Sequence, residues 1–190
     1  MKIVGVTYYD GCENLVLKSD SSMLVNRKPL FMPDSTCDLQ ALPCYVLRVS
    51  RLGRSVAPRF AARYYDAVAP GVDFFAADLL AKAKACGGAW TEAVAFECSL
   101  AIGEFMAADK LSELNWQLWR GESRVAEAAG SPAGAEQVFA DVIARVSSMV
   151  TIRQGDLIYV ALKQEPWRLQ PEDVIRAIGA EQEKLYCKIK

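Results

Sequence analysis

The chain contains no histidine. That removes Ser-His-Asp and Cys-His triads, histidine-ligated zinc or iron, and the residue that most often acts as a general base near neutral pH. Any chemistry has to run on carboxylate, lysine, tyrosine or thiol. Six cysteines stand at positions 12, 37, 44, 86, 98 and 187, and none are spaced as CxxC. That spacing excludes a zinc ribbon or thioredoxin-type motif and reads as free thiols in a reducing compartment. The richest stretch runs from Arg63 to Met106, where Asp66, Asp73 and Asp78 sit among apolar and aromatic residues.

The elements that must position such groups are short and mostly extended. Lys2–Val6 alternates like a strand, Tyr8–Asn14 reads as a polar loop, and Leu15–Leu17 opens another extended piece. Ser21–Val25 and Leu30–Met32 read as a hairpin turning at Asn26–Arg27. Leu42–Ser50 is β-rich, with Tyr45, Leu47 and Val49 on one face and Val46 and Arg48 on the other. A helix is expected from Ser55, with Pro58 in its first turn, Phe60, Tyr64 and Ala67 on one face, and a break at Pro70-Gly71. A buried strand at Val72–Phe75 follows, then a short helix over Asp78–Ala85 ended by Gly87-Gly88.

Leu100–Met106 and Asn115–Arg120 read as strands, and residues 126–136 as a small-residue loop. Gly134–Val150 is the clearest helix, with Val138, Phe139, Val142, Ile143, Val146 and Met149 forming one apolar stripe. Leu157–Leu162, Val174–Ile178 and Lys184–Ile189 are the closing strands.

At 190 residues the chain suits one domain, 1–190, able to bury its core without staples. The net charge of −1 carries no basic excess or polybasic run, so neither nucleic acid nor an acidic membrane surface is expected as a partner. Apolar runs are too short to span a bilayer, and MKIVGVTYYDG reads as a first strand rather than a signal peptide. The expected compartment is the cytoplasm. A hydrophobic fraction of 52 % fits either an alanine- and valine-rich core or an oligomer interface.

Residues 63–106 resemble the centre of the fumarylacetoacetate hydrolase family, which reads approximately RYYDAVTVGIDFTARDLQ and then PWxxxKGFDGSxxIGxF. Tyr64, Tyr65, Asp66, Gly71, Asp73, Phe74, Asp78, Trp90, Phe96, Ser99, Ile102, Gly103 and Phe105 keep the framework letters. VSSMVTIRQGDLIY near the end is similar to the family's VSRFFTLxxGDLLF. The resemblance implies an α+β, β-rich fold, a mixed β-roll with a few packed helices, as a homodimer or a heteromer with a related chain. It also implies cleavage or isomerisation of 2-oxo or 1,3-dicarbonyl acids, whose adjacent oxygens chelate Mg²⁺ or Mn²⁺. Two glutamates on one strand and an aspartate on its neighbour hold that ion, because a hard cation needs oxygen ligands and negative charge.

Against that pattern this chain departs at almost every reactive position. The two glutamates fall on Leu42 and Cys44, the lysine on Val94, the arginine after the metal-binding aspartate on Ala77, and the glutamine on Leu80. The small polar loop for the substrate carboxylate becomes Val160, Ala161, Leu162 and Lys163. The histidine-bearing lid is shortened to a segment with Glu13. Only Asp73 remains of the three ligands, so no cofactor is expected; a Cys44 thiolate beside Asp73 would at most hold a soft metal weakly. Glu97 stands beside the lost lysine, and Trp167 is expected to fill the vacated pocket. The expected function is therefore a family-like protein without metal-dependent cleavage, acting by binding or assembly. The alternatives are a divergent metal-dependent hydrolase, isomerase or decarboxylase of acylpyruvate-type acids, and a ligand sensor that keeps the pocket shape.

Overall fold

The first eighteen residues form a tight hairpin, not a strand followed by a loop. β1 (Ile3–Tyr9) and β2 (Cys12–Lys18) pair antiparallel from Ile3↔Lys18 to Tyr9↔Cys12. Residues 12–14 suggested a loop, but they form the turn end of an edge strand, where one side faces water. The computed structural model describes residues 1–9, 11–113, 116–128, 132–179 and 181–190.

After the hairpin come β3 (Met23–Val25), β4 (Leu39–Val49) and β5 (Tyr65–Ala76), then α1 (Ala77–Cys86) and α2 (Thr91–Val94). The chain continues through β6 (Leu100–Ile102), β7 (Met106–Ala107), β8 (Trp116–Arg120), β9 (Ser123–Ala128) and α3 (Pro132–Met149). It ends with β10 (Leu157–Ala161), β11 (Trp167–Arg168), β12 (Val174–Gly179) and β13 (Gln182–Lys188). One nine-stranded sheet runs β2-β1-β10-β4-β5-β6-β3, with β11 on β4 and β7 on β5, and a four-stranded sheet runs β13-β12-β8-β9. β1 with β10 and β3 with β6 are parallel; the other strand pairs are antiparallel. The architecture is α+β, strand-rich with a few helices, as the sequence implied.

Several expectations change at the level of pairing. The turn at Asn26–Arg27 exists, with Arg27 in the left-handed region at φ 69°. Its flanks do not pair with each other. Met23–Val25 lies parallel to β6, Leu30 bridges to Ile189, and the turn hydrogen-bonds across to Tyr186.

The helix expected from Ser55 is a single 3₁₀ stretch over Pro58–Arg63, and Pro70-Gly71 lies inside β5 rather than breaking it. Pairing of β5 with β4 along almost its whole length outweighs the local helix signal. Gly71 is required there, because a Cβ would lie 2.7 Å from Val46 Cγ2 and 2.9 Å from Cys44 Sγ. Leu100–Met106 is split into β6 and β7. Of the loop expected at 126–136, residues 129–131 lie outside the described set, as does Asn115; β9 reaches Ala128 and α3 begins at Pro132.

The large sheet is covered on both faces. Odd positions of β4 (Tyr45, Leu47, Val49) join a cluster containing Phe139, Ile143 and Val146 of α3, while even ones (Leu42, Cys44, Val46) join a second with Tyr9, Phe75 and Tyr159. The split follows the period-two alternation read from the sequence. Within the α3 stripe, Phe139, Val142, Ile143 and Val146 are buried, but Val138 and Met149 are 45 % and 58 % exposed. Tyr45 packs edge-on against both Phe139 and Trp116, tying α3 and the small sheet to β4.

Candidate functional site

Strand registry decides which side chains meet Asp73. It pairs with Leu42 of β4 and Leu100 of β6. Its neighbours two residues away, Gly71 and Phe75, share its face, and Phe75 belongs to the same cluster as Leu42 and Cys44. Alternation places Thr7 and Tyr9 of β1, Val16 and Lys18 of β2, and Tyr159 of β10 on that face as well.

These residues form a closed polar network. Lys18 Nζ lies 2.7 Å from Asp73 Oδ1, and both side chains are 0 % exposed. The ammonium also donates to Ser99 Oγ and to the Ser99 carbonyl, each at 2.9 Å. Asp73 Oδ2 accepts from Thr7 Oγ1 at 3.0 Å and from Tyr9 OH at 3.3 Å. The Tyr159 ring lies 5.5 Å from Lys18 Nζ, close enough for cation–π attraction, and its hydroxyl is buried without a hydrogen-bonding partner.

Burial is the largest influence on the titration of Lys18, Tyr9, Tyr159 and Cys44. It pulls the Lys18 pKa down, and the Asp73 carboxylate beside it pushes back up. It pushes the hydroxyls of Tyr9 and Tyr159 well above their usual range, and the negative charge of Asp73 adds to that. The Cys44 thiol rises for the same two reasons, against a smaller opposing effect of Lys18. Both tyrosines and Cys44 are thus neutral at physiological pH.

Leu42, Cys44 and Val94 belong to one buried apolar cluster with Ala77 packed at its margin, and Asp73 is buried opposite Leu42. Ala161 joins them from β10, whereas Val160 and Leu162 face the α3 side of the sheet. Lys163 is exposed, its ammonium 5.1 Å from the Tyr8 ring, at a groove of about 450 Å³ that Tyr45, Val138 and Gln164 also line. Trp167 does not fill a pocket beside Asp73. It pairs with Ala41 on β4 and packs on the α3 side. Glu13 accepts from Tyr8 OH at 2.9 Å and pairs with Arg145 of α3; Glu97 is exposed.

The sequence reading missed Lys18, Thr7, Tyr9, Ser99 and Tyr159. Lys18 did leave a signal: it falls in phase with Val16 and Asn14, on a strand whose partner alternation was readable.

A hard divalent ion does not fit these residues. Both Asp73 oxygens are engaged, Leu42 and Cys44 on the adjacent strand bring a hydrocarbon and a thiol, and an ammonium already sits at contact distance. Among the described residues no group of three or more histidine, cysteine, aspartate or glutamate side chains converges as a metal site. A soft metal fits no better, since Cys44 is fully buried and no group of three or more potential ligands converges around it among the described residues.

The fold is that of fumarylacetoacetate hydrolase family proteins. Among solved structures, the fumarylpyruvate hydrolase of Pseudomonas aeruginosa, in complex with Mn²⁺ and pyruvate, is similar over 100 % of this chain and 89 % of its own, with TM-score 0.84 and 14 % identity. The 2-hydroxyhepta-2,4-diene-1,7-dioate isomerase of Mycobacterium marinum is similar over 99 % of this chain and 73 % of its own, with TM-score 0.80 and 16 % identity. A Burkholderia cenocepacia protein of the same fold reaches 24 % identity over 99 % of this chain and 86 % of its own, with TM-score 0.83. No family model matches the sequence, and no curated protein matches it either.

Proposed function

We propose that this chain is a non-catalytic member of the fumarylacetoacetate hydrolase family that acts by binding or assembly, having lost metal-dependent cleavage of 2-oxo and 1,3-dicarbonyl acids. One observation carries the reading: Asp73, the ligand position the chain retains, is fully enclosed and already neutralised by Lys18. A chelating keto acid would need both a cation beside that carboxylate and a way in. Leu42 and Cys44, each 0 % exposed, occupy the positions where further oxygen ligands would be needed.

The expected assembly is a homodimer or a heteromer with a related chain. A single domain over 1–190 is supported by the full coverage of this chain by one solved fold. A cytoplasmic location accords with the free thiols and with the fact that no helix among the described residues is long and apolar enough to cross a membrane.

The competing reading is a divergent metal-dependent hydrolase or isomerase, favoured by the activities for which the structurally similar proteins are named. Calorimetry with Mg²⁺ or Mn²⁺ plus oxalate, alongside an acylpyruvate turnover assay, separates the two. The non-catalytic reading expects no binding heat and no turnover. Wild-type turnover that requires added Mg²⁺ or Mn²⁺ would establish the other.

A further inference from the structure

We infer that the groove between the Pro58–Arg63 stretch, the Ala108–Asp109 segment and α3 is a binding site for a small α-amino acid, held by its two charges: the carboxylate on Arg59, the ammonium between Asp109 and Glu136. The inference goes beyond the non-catalytic reading and does not depend on it. Tyr65, at the back of the groove, opens β5, whereas Asp73 stands near the other end of that strand, roughly 25 Å away. The groove also lies on the α3 side of the sheet, and Asp73 on the opposite side.

The groove encloses about 450 Å³, room for one amino acid with its water. Its three charged side chains come from three separate parts of the chain: Arg59 from the 3₁₀ stretch, Asp109 from the segment after β7, and Glu136 from α3. None of them has an ion-pair partner among the described residues, although all three line one groove. Opposite charges that share a space without meeting leave room for a molecule carrying both signs. The Arg59 guanidinium is held over the Phe60 ring, 4.8 Å from its centroid. Stacking of that kind leaves the N–H edge of the guanidinium free for a carboxylate.

Tyr65 is the enclosed polar member, 6 % exposed. Phe139 packs edge-on against its ring at 5.9 Å, and its hydroxyl has no hydrogen-bond partner among the described residues. Burial raises the Tyr65 pKa and the Glu136 charge raises it further, so a neutral hydroxyl stands beside that carboxylate. A ligand ammonium placed there donates to the hydroxyl oxygen and to both carboxylates, using all three of its N–H bonds. The remaining walls, Pro58, Ala62, Ala108 and Ala140, are small and apolar, which suits an aliphatic side chain.

Titration of the wild-type protein with L-leucine, followed by calorimetry and by ¹⁵N–¹H spectra, tests this. Saturable binding is expected, with shifts concentrated at Tyr65, Ala108 and Gln137 rather than around Asp73. Leucine amide lacks the carboxylate and N-acetyl-leucine lacks the ammonium. Each should bind about tenfold more weakly or worse, because each forfeits charge-assisted hydrogen bonds. Arg59→Gln and Glu136→Gln should weaken leucine binding by a similar factor, and both side chains are exposed, so the substitutions leave the packing intact. Absence of saturable leucine binding, equal or tighter binding of either analogue, or unchanged affinity in either variant would overturn the inference. Any of these results leaves the metal and acylpyruvate assays as they stand, so failure of the non-catalytic reading shows separately.

Discussion

The Tyr159 ring occupies the space that any side chain at position 5 would need: a Cβ built on Gly5 would overlap Tyr159 Cζ and Cε1. β1 and β10 run parallel with Gly5 directly opposite Tyr159, so the aromatic ring folds across its own partner residue. This close approach brings the ring near Lys18 Nζ. Gly5→Ala should therefore destabilise the fold by more than the about 1–3 kcal/mol usual for overpacking, since the obstacle is a ring buried on every side. Urea unfolding measures it. The penalty should shrink in a Tyr159→Leu background, and an unchanged penalty would show that the clash lies elsewhere.

Breaking the buried ion pair should be far more harmful than deleting it whole. Lys18→Met leaves Asp73 charged and enclosed, and Asp73→Asn leaves an ammonium without its counter-charge. Each should cost about 3–5 kcal/mol. The double variant Lys18→Met/Asp73→Leu removes both charges, though it strands the Thr7 and Tyr9 hydroxyls at about 1–3 kcal/mol each. Its total loss should be clearly smaller than the sum of the singles. Additive losses in chemical denaturation would mean the two charges do not depend on each other.

The two tyrosines of the cluster should respond in opposite ways to loss of their hydroxyls. Tyr9 donates to the Asp73 carboxylate, so Tyr9→Phe should cost about 1–2 kcal/mol. The Tyr159 hydroxyl has no partner at hydrogen-bonding geometry among the described residues, so Tyr159→Phe should be neutral or stabilising. Thermal melts of the pair decide it, and a larger loss for Tyr159→Phe would require a hydrogen bond that the geometry does not contain.

What could be read in advance followed the range of the interaction. The faces of β4 are a local alternation, whereas Leu42, Cys44 and Asp73 were placed together by the family resemblance, and the structure pairs their two strands. Val94 was placed there by the same resemblance, and lies on the short helix α2 that the sequence reading did not contain. Lys18 was missed because its partners lie 55 and 81 residues away, and its meaning depends on the β1–β2 register at the far edge of the sheet. The residues at 12–14 looked like a loop for a related reason: an edge strand open on one side is polar enough to hide its pairing. Val138 and Met149 carried the right helical spacing, but the arc α3 presents to the sheet is narrower than its apolar stripe. The Ser55 segment erred in the other direction: Pro58–Arg63 forms only a 3₁₀ stretch, because from Tyr65 onward the chain pairs with β4.

Acid stability should depend on Asp78, which lies outside the buried network. Its carboxylate accepts from Thr36 Oγ1, from the backbone N–H and thiol of Cys37, and from the Leu79 N–H, so it pins the segment before β4 to the first turn of α1. Partial burial on its own would raise its pKa, but these hydrogen bonds outweigh it and bring the value from 3.8 to about 2. With the folded pKa below the unfolded one, the unfolded chain binds more protons between the two, and stability rises with pH across that interval. The contribution of Asp78 is thus complete above pH 3.8 and lost as pH falls toward 2. Asp78→Asn should lower stability at neutral pH and flatten the acid limb of a stability–pH profile taken by urea denaturation. If the wild-type and variant profiles stay parallel through that interval, the hydrogen bonds to Thr36 and Cys37 do not hold the carboxylate as described.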